Sequence, residues 1–202
     1  MTLHLPPEKR KAQILTAFAA LLDRKGFSDL TMDDVAQEAG ISKGAIYHHF
    51  ESKEDILLAL FRTHSEDMFS AVAELRGKYP TFEEFLLEGG KVILNRSIEF
   101  FTQTEIMMHF MAYHDLRSKL HQMIMEDHYK ALEIIENILK SGIESGDLVL
   151  DDPRGMASTV NALFSGLTMH ARCLPMKTLE DGWVAFARLL LKTAKPGYGG
   201  QA

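Results

Sequence analysis

The sequence predicts an all-α protein of about nine helices, and three features of its 202 residues lead to this prediction. Apolar residues recur three and four positions apart over long segments, which is the periodicity of amphipathic helices. Residues that cap helices precede most of these segments, and glycine or proline follows them. No segment shows the strict alternation of a half-buried strand, and no internal repeat is found.

Composition and charge limit the class of protein. Hydrophobic residues make up 46% of the chain, which is typical of a globular protein. The single cysteine, Cys173, excludes an intramolecular disulfide, and no apolar segment is long enough for a signal peptide or a membrane span. We therefore expect a cytoplasmic protein without a membrane partner. The net charge of −6 arises from residues 54–202, because residues 1–53 carry seven basic and seven acidic side chains, which permits DNA binding by the first segment.

The first three helices are predicted within residues 8–50. A helix over residues 8–25 ends at Gly26, since glycine tolerates the left-handed backbone of a helix end. The side chain of Thr31 caps a second helix, which ends at Gly40, and Ser42 caps a third. These three helices form a predicted N-terminal helix-turn-helix domain.

Six more helices are predicted in the rest of the chain, with N-terminal caps at Ser52, Thr81, Asp152 and Thr178. They cover residues 52–75, 81–102, 104–114, 117–141, 152–172 and 179–194. The helix that begins at Ser52 follows the first domain directly, so no flexible linker separates the domains. We expect the domains to cover residues 1–52 and 53–195, followed by a flexible tail over residues 196–202.

The segment Leu30–Leu57 is the most informative part of the sequence. Two short helices, each of about eight residues, are joined by a tight turn at Gly40. The small residues Gly44 and Ala45 near the start of the second helix allow it to enter a major groove deeply. The positive end of that helix, with Lys43, then faces phosphates and base edges.

This segment resembles the helix-turn-helix of the tetracycline-repressor (TetR) family of bacterial regulators. The matching features are Lys25-Gly26-Phe27, Gly40-Ile41-Ser42 and, above all, Tyr47-His48-His49-Phe50 followed by Lys53. The resemblance is specific over about residues 8–60, and beyond them it depends only on the number and length of the helices.

The resemblance implies a role for individual residues of the segment. Phosphate contacts are expected from Thr31, Ser42, Tyr47, His49 and Lys53. Base edges are expected to lie against Lys43, Gly44, Ala45 and His48. Lys43 is the best candidate for a guanine contact. The alternative is an ordinary helical hairpin in which Tyr47 is a surface aromatic residue.

Methionine and aromatic residues are dense in the C-terminal domain. Flexible thioethers suit a pocket that adapts to apolar ligands, whereas the alternative is plain packing between helices. The family resemblance implies that some of these residues line a cavity for an apolar or amphiphilic effector. The candidates are Met68, Phe69, Val72, Phe100, Met107, Met111, Met125, Tyr129 and Phe164.

The last two helices carry long apolar faces that either close the core or form a dimer interface. The resemblance implies a homodimer in which these helices pair with their symmetry mates as a four-helix bundle. The candidate interface residues are Met156, Val160, Leu163, Leu167, Trp183, Phe186 and Leu190.

Nine histidines suggest a metal site, but the chain lacks the His-Glu-x-x-His and Cys-x-x-Cys motifs that would support one. We expect no metal and no cofactor, and we interpret His128, Arg96 and Asn161 as polar groups in or near a pocket. Gly89 and Gly90 indicate close helix packing, because the Lys-Ser/Thr pair of a phosphate loop is missing.

The sequence as a whole predicts a ligand-responsive regulator, a repressor that a small molecule releases from a palindromic double-stranded operator. A helical enzyme is one alternative, but no nucleophile–base pair is found. A binding protein that has lost DNA binding is another, and the intact Lys43, Tyr47 and Lys53 argue against it.

Overall fold

The computed structural model describes residues 5–103, 114–171 and 173–192, and the regular elements in these ranges are helical. The predicted all-α fold is confirmed. The predicted helix over residues 104–114 lies outside the described residues except for its last position, and so does the tail over residues 196–202.

Nine α-helices and one π-helical turn make up the described chain. The turn, Phe85–Gly89, joins the fifth and sixth helices. The helices are α1 (Pro7–Asp29), α2 (Met32–Ala39), α3 (Lys43–Tyr47), α4 (Lys53–Lys78), α5 (Phe82–Glu84), α6 (Gly90–Gln103), α7 (His114–Glu144), α8 (Pro153–His170) and α9 (Met176–Lys192).

The helices group into two compact units. Among the described residues, the first unit covers 5–65, 103 and 114–123, and the second covers 66–102, 124–171 and 173–192. The division within α4 falls between residues 65 and 66, later than the boundary after residue 52 that the sequence suggested.

In the first unit, α1 packs on α2 and α2 packs on α3. Phe18, Val35 and Ile46, one from each of these helices, have no exposed surface, so a small apolar core fixes all three helices together. Gly26 has a φ of 74° and interrupts the helical backbone of α1, which confirms the predicted break although the helix continues to Asp29.

The predicted caps at Thr31, Ser42, Ser52 and Asp152 are confirmed, because each side chain accepts a hydrogen bond from an amide of the following helix. The predicted cap at Thr178 is wrong. Helix α9 begins at Met176, and the amide of Thr178 donates to the carbonyl of Pro175 instead. The preceding proline therefore sets the start of this helix earlier than the sequence suggested.

In the second unit, the predicted helix over residues 81–102 is interrupted by the π-helical turn. The amide of Gly90 donates to Phe85, so the carbonyl of Leu86 accepts the indole N–H of Trp183 at 2.8 Å. A Cβ on Gly90 would lie 2.1 Å from Nε1 of Trp183. This close approach confirms that Gly90 is required for helix packing.

Trp183 is 3% exposed and lies in the core of the second unit with Val160 and Leu190. These three interface candidates are buried within their own chain, which agrees with the alternative that the apolar faces of the last two helices close the core. Their burial follows from the α8–α9 contact and from the space that Gly90 leaves for the indole. The other interface candidates are partly buried and pack against the same core: Met156, Leu163, Leu167 and Phe186.

None of the described helices is both long and apolar enough to cross a lipid bilayer.

Candidate nucleic-acid interface

The turn between α2 and α3 has a rigid backbone. Gly40 lies in the left-handed region with φ 66° and ψ 33°, a conformation that costs glycine little. Its amide donates to Gln37, and the amide of Ile41 donates to Ala36 at 3.0 Å. The orientation of α3 on α2 is therefore set by local chemistry that the sequence already contains.

The start of α2 is held by a capping box and an ion pair. The amide of Asp34 donates to the Thr31 hydroxyl, and the backbone amide and hydroxyl of Thr31 donate to the Asp34 carboxylate. Lys25 of α1 donates to the same carboxylate at 2.7 Å. Hydrogen bonds from Lys25 and then Thr31 lower the pKa of Asp34 to about 2, so this carboxylate stays ionised.

The outer side of α3 is exposed, as the sequence predicted. Lys43, Gly44 and Tyr47 are exposed, and Ala45 is half-buried. The residue at the start of this surface is Ser42, whose hydroxyl accepts a hydrogen bond from the Ala45 amide at 3.2 Å. We call these five residues the α3 face. Its small central residues leave the helix backbone accessible, which a helix needs in order to enter a major groove.

Lys43 on the α3 face forms an ion pair with Asp33 of α2 at 2.8 Å. The hydrogen bond to Asp33 raises the pKa of Lys43 above its usual value, so the ammonium is charged. Sequence analysis did not identify Asp33 as a partner, because it lies on a different helix ten residues away. Both side chains are largely exposed, so the pair is weak and can open when another anion arrives.

Two histidines follow α3 directly. The ring centroids of His48 and His49 are 5.3 Å apart, and His48 is exposed whereas His49 is half-buried. Burial, followed by the charges of His48, Lys11 and Arg10, lowers the pKa of His49, although Glu8 opposes the effect. The start of α1 therefore lies within electrostatic range of His49.

Lys53 has a structural role that the sequence did not suggest. Its ammonium donates to the carbonyls of Phe27 and Leu30, both at 2.9 Å, and to that of Ser28 at 3.4 Å. It also lies 4.5 Å from the centre of the Phe27 ring. Lys53 thus ties the first turn of α4 to the end of α1. The phosphate contact proposed for it stays a prediction and would require these bonds to rearrange.

The effector candidates are placed only in part. Met107 and Met111 lie outside the described residues, as does the side chain of Phe100. Met68, Phe69 and Val72 are half-buried on α4, and Phe69 lies under the ammonium of Lys130, 4.5 Å from its ring centre. Met125 and Tyr129 are exposed on α7, whereas Phe164 packs on Trp183 with ring centroids 4.6 Å apart.

Two of the polar residues that the sequence analysis placed in or near a pocket, His128 and Asn161, contact each other. The Asn161 side-chain amide lies 2.9 Å from Nδ1 of His128, which joins α8 to α7. Within the part of the chain that the structure describes, no three acidic, histidine or cysteine side chains lie close enough to hold a metal ion.

Comparisons with known proteins support the helix-turn-helix assignment. Residues 14–60 match the family "Bacterial regulatory proteins, tetR family". The chain is 34% identical over 70 residues to the transcriptional activator FasR of Mycolicibacterium smegmatis, a match that covers 35% of this chain but only 32% of that protein. It is 26% identical over 141 residues to the fatty acid metabolism regulator protein of Bacillus subtilis, covering 67% of this chain and 69% of that one.

A solved structure agrees over nearly the whole chain. A crystal structure of a candidate TetR-family transcriptional regulator from Syntrophomonas wolfei has a TM-score of 0.75 with 17% identity, covering 96% of this chain and all of that one. At this identity the likeness shows the shared fold. Both curated relatives carry the names of regulators.

Proposed function

We propose that this chain is a member of the tetR family of bacterial regulatory proteins, which its residues 14–60 match, and that it is a ligand-responsive transcriptional repressor. In this proposal a homodimer binds a palindromic operator through two copies of the α3 face. A small apolar or amphiphilic effector then releases it from the DNA.

The exposed α3 face is the observation that carries the DNA-binding part of the proposal. A capped turn fixes the orientation of α3, and its outward side presents a cation, small residues and an aromatic hydroxyl. Lys43 supplies hydrogen bonds that suit guanine, and Tyr47 supplies one that suits a phosphate oxygen. Lys43, Gly44 and Tyr47 on this surface are exposed, so they are accessible to DNA.

Dimerisation is supported by apolar side chains that the chain leaves exposed on its last two helices. Met169 on α8 is 76% exposed and Leu189 on α9 is 66% exposed. Ala162 and Ser165 lie on the same side of α8 as Met169, and Ala185 lies four residues before Leu189, all exposed. Small residues let paired helices approach closely, so these faces suit a four-helix bundle between two copies. The two α3 faces of the dimer, about 34–36 Å apart, would then enter successive major grooves.

Two observations support an apolar or amphiphilic effector: the apolar side chains of α4 in the second unit, and the name of one relative. The second unit carries half-buried Met68, Phe69 and Val72 on α4, which suit an apolar chain. The Bacillus subtilis relative is named a fatty acid metabolism regulator, which makes fatty acyl compounds the first effectors to test.

The route of control that we propose is α4. This helix is continuous from Lys53 to Lys78, and Lys53 is bonded to the end of α1. The later half of the same helix carries the effector candidates. A ligand that favours one position of α4 would change the spacing of the two α3 faces. Its effect on DNA affinity is limited by the difference in its own affinity for the DNA-binding and the released states.

Selection of bound fragments from genomic DNA by the purified protein tests the proposal. We expect enrichment of a palindromic sequence, and loss of binding when a fatty acid or fatty acyl thioester is added. Failure to enrich any sequence would contradict the regulator assignment. Enrichment without release would refute only the acyl effector, and reporter expression in a deletion strain separates repression from activation.

A further inference from the structure

Arg10 of α1 precedes the segment Leu30–Leu57, to whose residues the DNA contacts were assigned, and the family match, which begins at residue 14, does not include it. It lines an open groove of about 600 Å³ together with residues from α2, the turn and α3. Three of those residues, Gly40, Ser42 and Ala45, belong to the turn and to the α3 face. The groove is therefore continuous with the surface that we propose to bind DNA.

The Arg10 side chain is held in place by a chain of hydrogen bonds. Nη1 of Arg10 donates to Oε1 of Gln13 at 2.8 Å, and Nε2 of Gln13 donates to the carbonyl of Ala39 at 2.7 Å. Ala39 is the last residue of α2, directly before the turn. Gln13 thus fixes the guanidinium relative to the turn, which reduces the entropy lost when the guanidinium binds a ligand.

The chemistry of the groove suits an oxyanion. A guanidinium offers planar, paired donors that match phosphate oxygens, and the exposed amide of Gln37 and hydroxyl of Ser42 line the same groove. The charges of Arg10 and Lys11 both act on His49, so cationic groups gather at this end of the unit, with Glu8 as the opposing charge.

From these observations we propose that Arg10 is a DNA-contacting residue that binds a backbone phosphate in this groove, with Gln13 as its positioning residue. The inference rests on the proposed function, because the phosphate belongs to the DNA that the α3 face reads. A phosphate contact sets the position of the protein on the duplex and carries no sequence information. Arg10 therefore contributes equally to binding of the operator and of unrelated DNA.

The test measures fluorescence anisotropy of two labelled duplexes, one carrying the selected palindrome and one of random sequence, over a range of salt concentrations. Arg10→Gln is expected to weaken both duplexes about tenfold, as loss of one charge-assisted hydrogen bond predicts. The slope of log K against log salt should fall in magnitude by about 0.9, the value for one phosphate. Arg10→Lys should keep the salt slope and lose part of the affinity.

Arg24→Gln is the matched control, because it removes the same charge from the same helix. Arg24 forms an ion pair with Glu38 of α2 and is not among the residues that line the groove, so the salt slope should stay at the wild-type value. Gln13→Ala should weaken both duplexes less than Arg10→Gln while leaving the slope unchanged. Thermal melting of each variant identifies any loss of affinity that comes from unfolding.

Three outcomes would overturn the inference. In the first, folded Arg10→Gln binds both duplexes within twofold of wild type with an unchanged slope. In the second, it weakens only the palindrome, which would make Arg10 a base-reading residue. In the third, Arg10→Gln and Arg24→Gln lower the slope equally, which would indicate general charge. Absence of any DNA binding by the wild-type protein would instead contradict the proposed function itself.

Discussion

At the residue scale, the ion pair of Lys43 with Asp33 explains how an exposed cation is kept near the α3 face. Both side chains are exposed to solvent, so the pair costs little to open. A guanine with two acceptors on its major-groove edge is a competing partner for the ammonium. We therefore expect the Lys43–Asp33 pair of the free protein to open when Lys43 binds DNA.

Replacing Lys43 with Ala is expected to cost about 1–3 kcal/mol of binding to the selected operator and to relax the preference at one base pair. Tyr47→Phe serves as the comparison, since loss of a phosphate contact should weaken operator and random duplexes alike. Competition binding against single-base operator variants measures both effects. An equal loss on every sequence for Lys43→Ala would assign Lys43 to the phosphate contacts.

We expect His49 to couple DNA binding to protonation. Its pKa is lowered by burial and by the charges of His48, Lys11 and Arg10, so in the free protein it is neutral at neutral pH. Phosphates of bound DNA close to this side chain would favour the imidazolium and raise its pKa. Binding would then take up a proton, and we expect the affinity for DNA to rise as the pH falls from neutrality through the ordinary histidine value of 6.5.

We expect His49→Gln to reduce this pH dependence, and His170→Gln, on α8 of the second unit, to leave it unchanged. The stability of the fold should depend on pH in the opposite direction to the affinity for DNA. Because the folded protein binds fewer protons at His49 than the unfolded chain does, the free energy of unfolding falls as the pH drops below 6.5. Binding and urea titrations over the same pH range measure both slopes, and an unchanged binding profile in His49→Gln would contradict the coupling.

At the element scale, the π-helical turn shows how one backbone irregularity serves packing. The turn shifts the helical hydrogen bonds by one residue, which leaves the carbonyl of Leu86 available to Trp183. Gly90 has no side chain, so the indole reaches this carbonyl. The largest side chain of the core thereby satisfies its only polar atom while it is buried.

Gly90→Ala is expected to destabilise the protein by about 2–4 kcal/mol, the combined cost of overpacking and of a lost buried hydrogen bond. Gly77→Ala is the control, because nothing lies within 4 Å of the added Cβ on the same type of helical backbone. That variant should be neutral or gain up to about 1 kcal/mol. Urea denaturation followed by tryptophan fluorescence compares the two, and equal effects would show that the Trp183 contact is not the cause.

At the scale of the whole molecule, the exposed apolar side chains of α8 and α9 are the surface that we expect a second copy to cover. Exposed large apolar residues are costly when they gather on one face, which marks an interaction surface. Leu189 and Met169 are the most exposed members of this surface. The side chains that the sequence analysis had selected instead hold α8 and α9 within their own chain.

Leu189→Arg should therefore shift the protein from dimer to monomer, because a buried unpaired charge is strongly unfavourable. Val149→Arg is the matched control, since Val149 is a comparably exposed apolar residue after α7 that lies on neither α8 nor α9. Analytical ultracentrifugation at micromolar concentration distinguishes the two states. A wild-type protein that is already monomeric, or a dimeric Leu189→Arg, would refute the assigned interface.

The sequence alone determined the features that local chemistry controls. The caps at Thr31, Ser42 and Ser52 and the left-handed Gly40 depend on residues within a few positions of one another, so their pattern could be recognised directly. The exposed α3 face followed from the same local periodicity. These features gave the all-α class and the helix-turn-helix.

Only the tertiary structure decided which partner each side chain meets across helices. Lys53 bonds to carbonyls of α1, and Arg10 is positioned through Gln13 against the end of α2. Trp183 lies inside its own unit, because Gly90 and the π-helical turn leave space for its indole ring. Gly90 is 93 residues away from Trp183 in the sequence. Helical periodicity gives the apolar side of a helix, but the neighbour that covers this side is set by packing between segments that are distant in sequence.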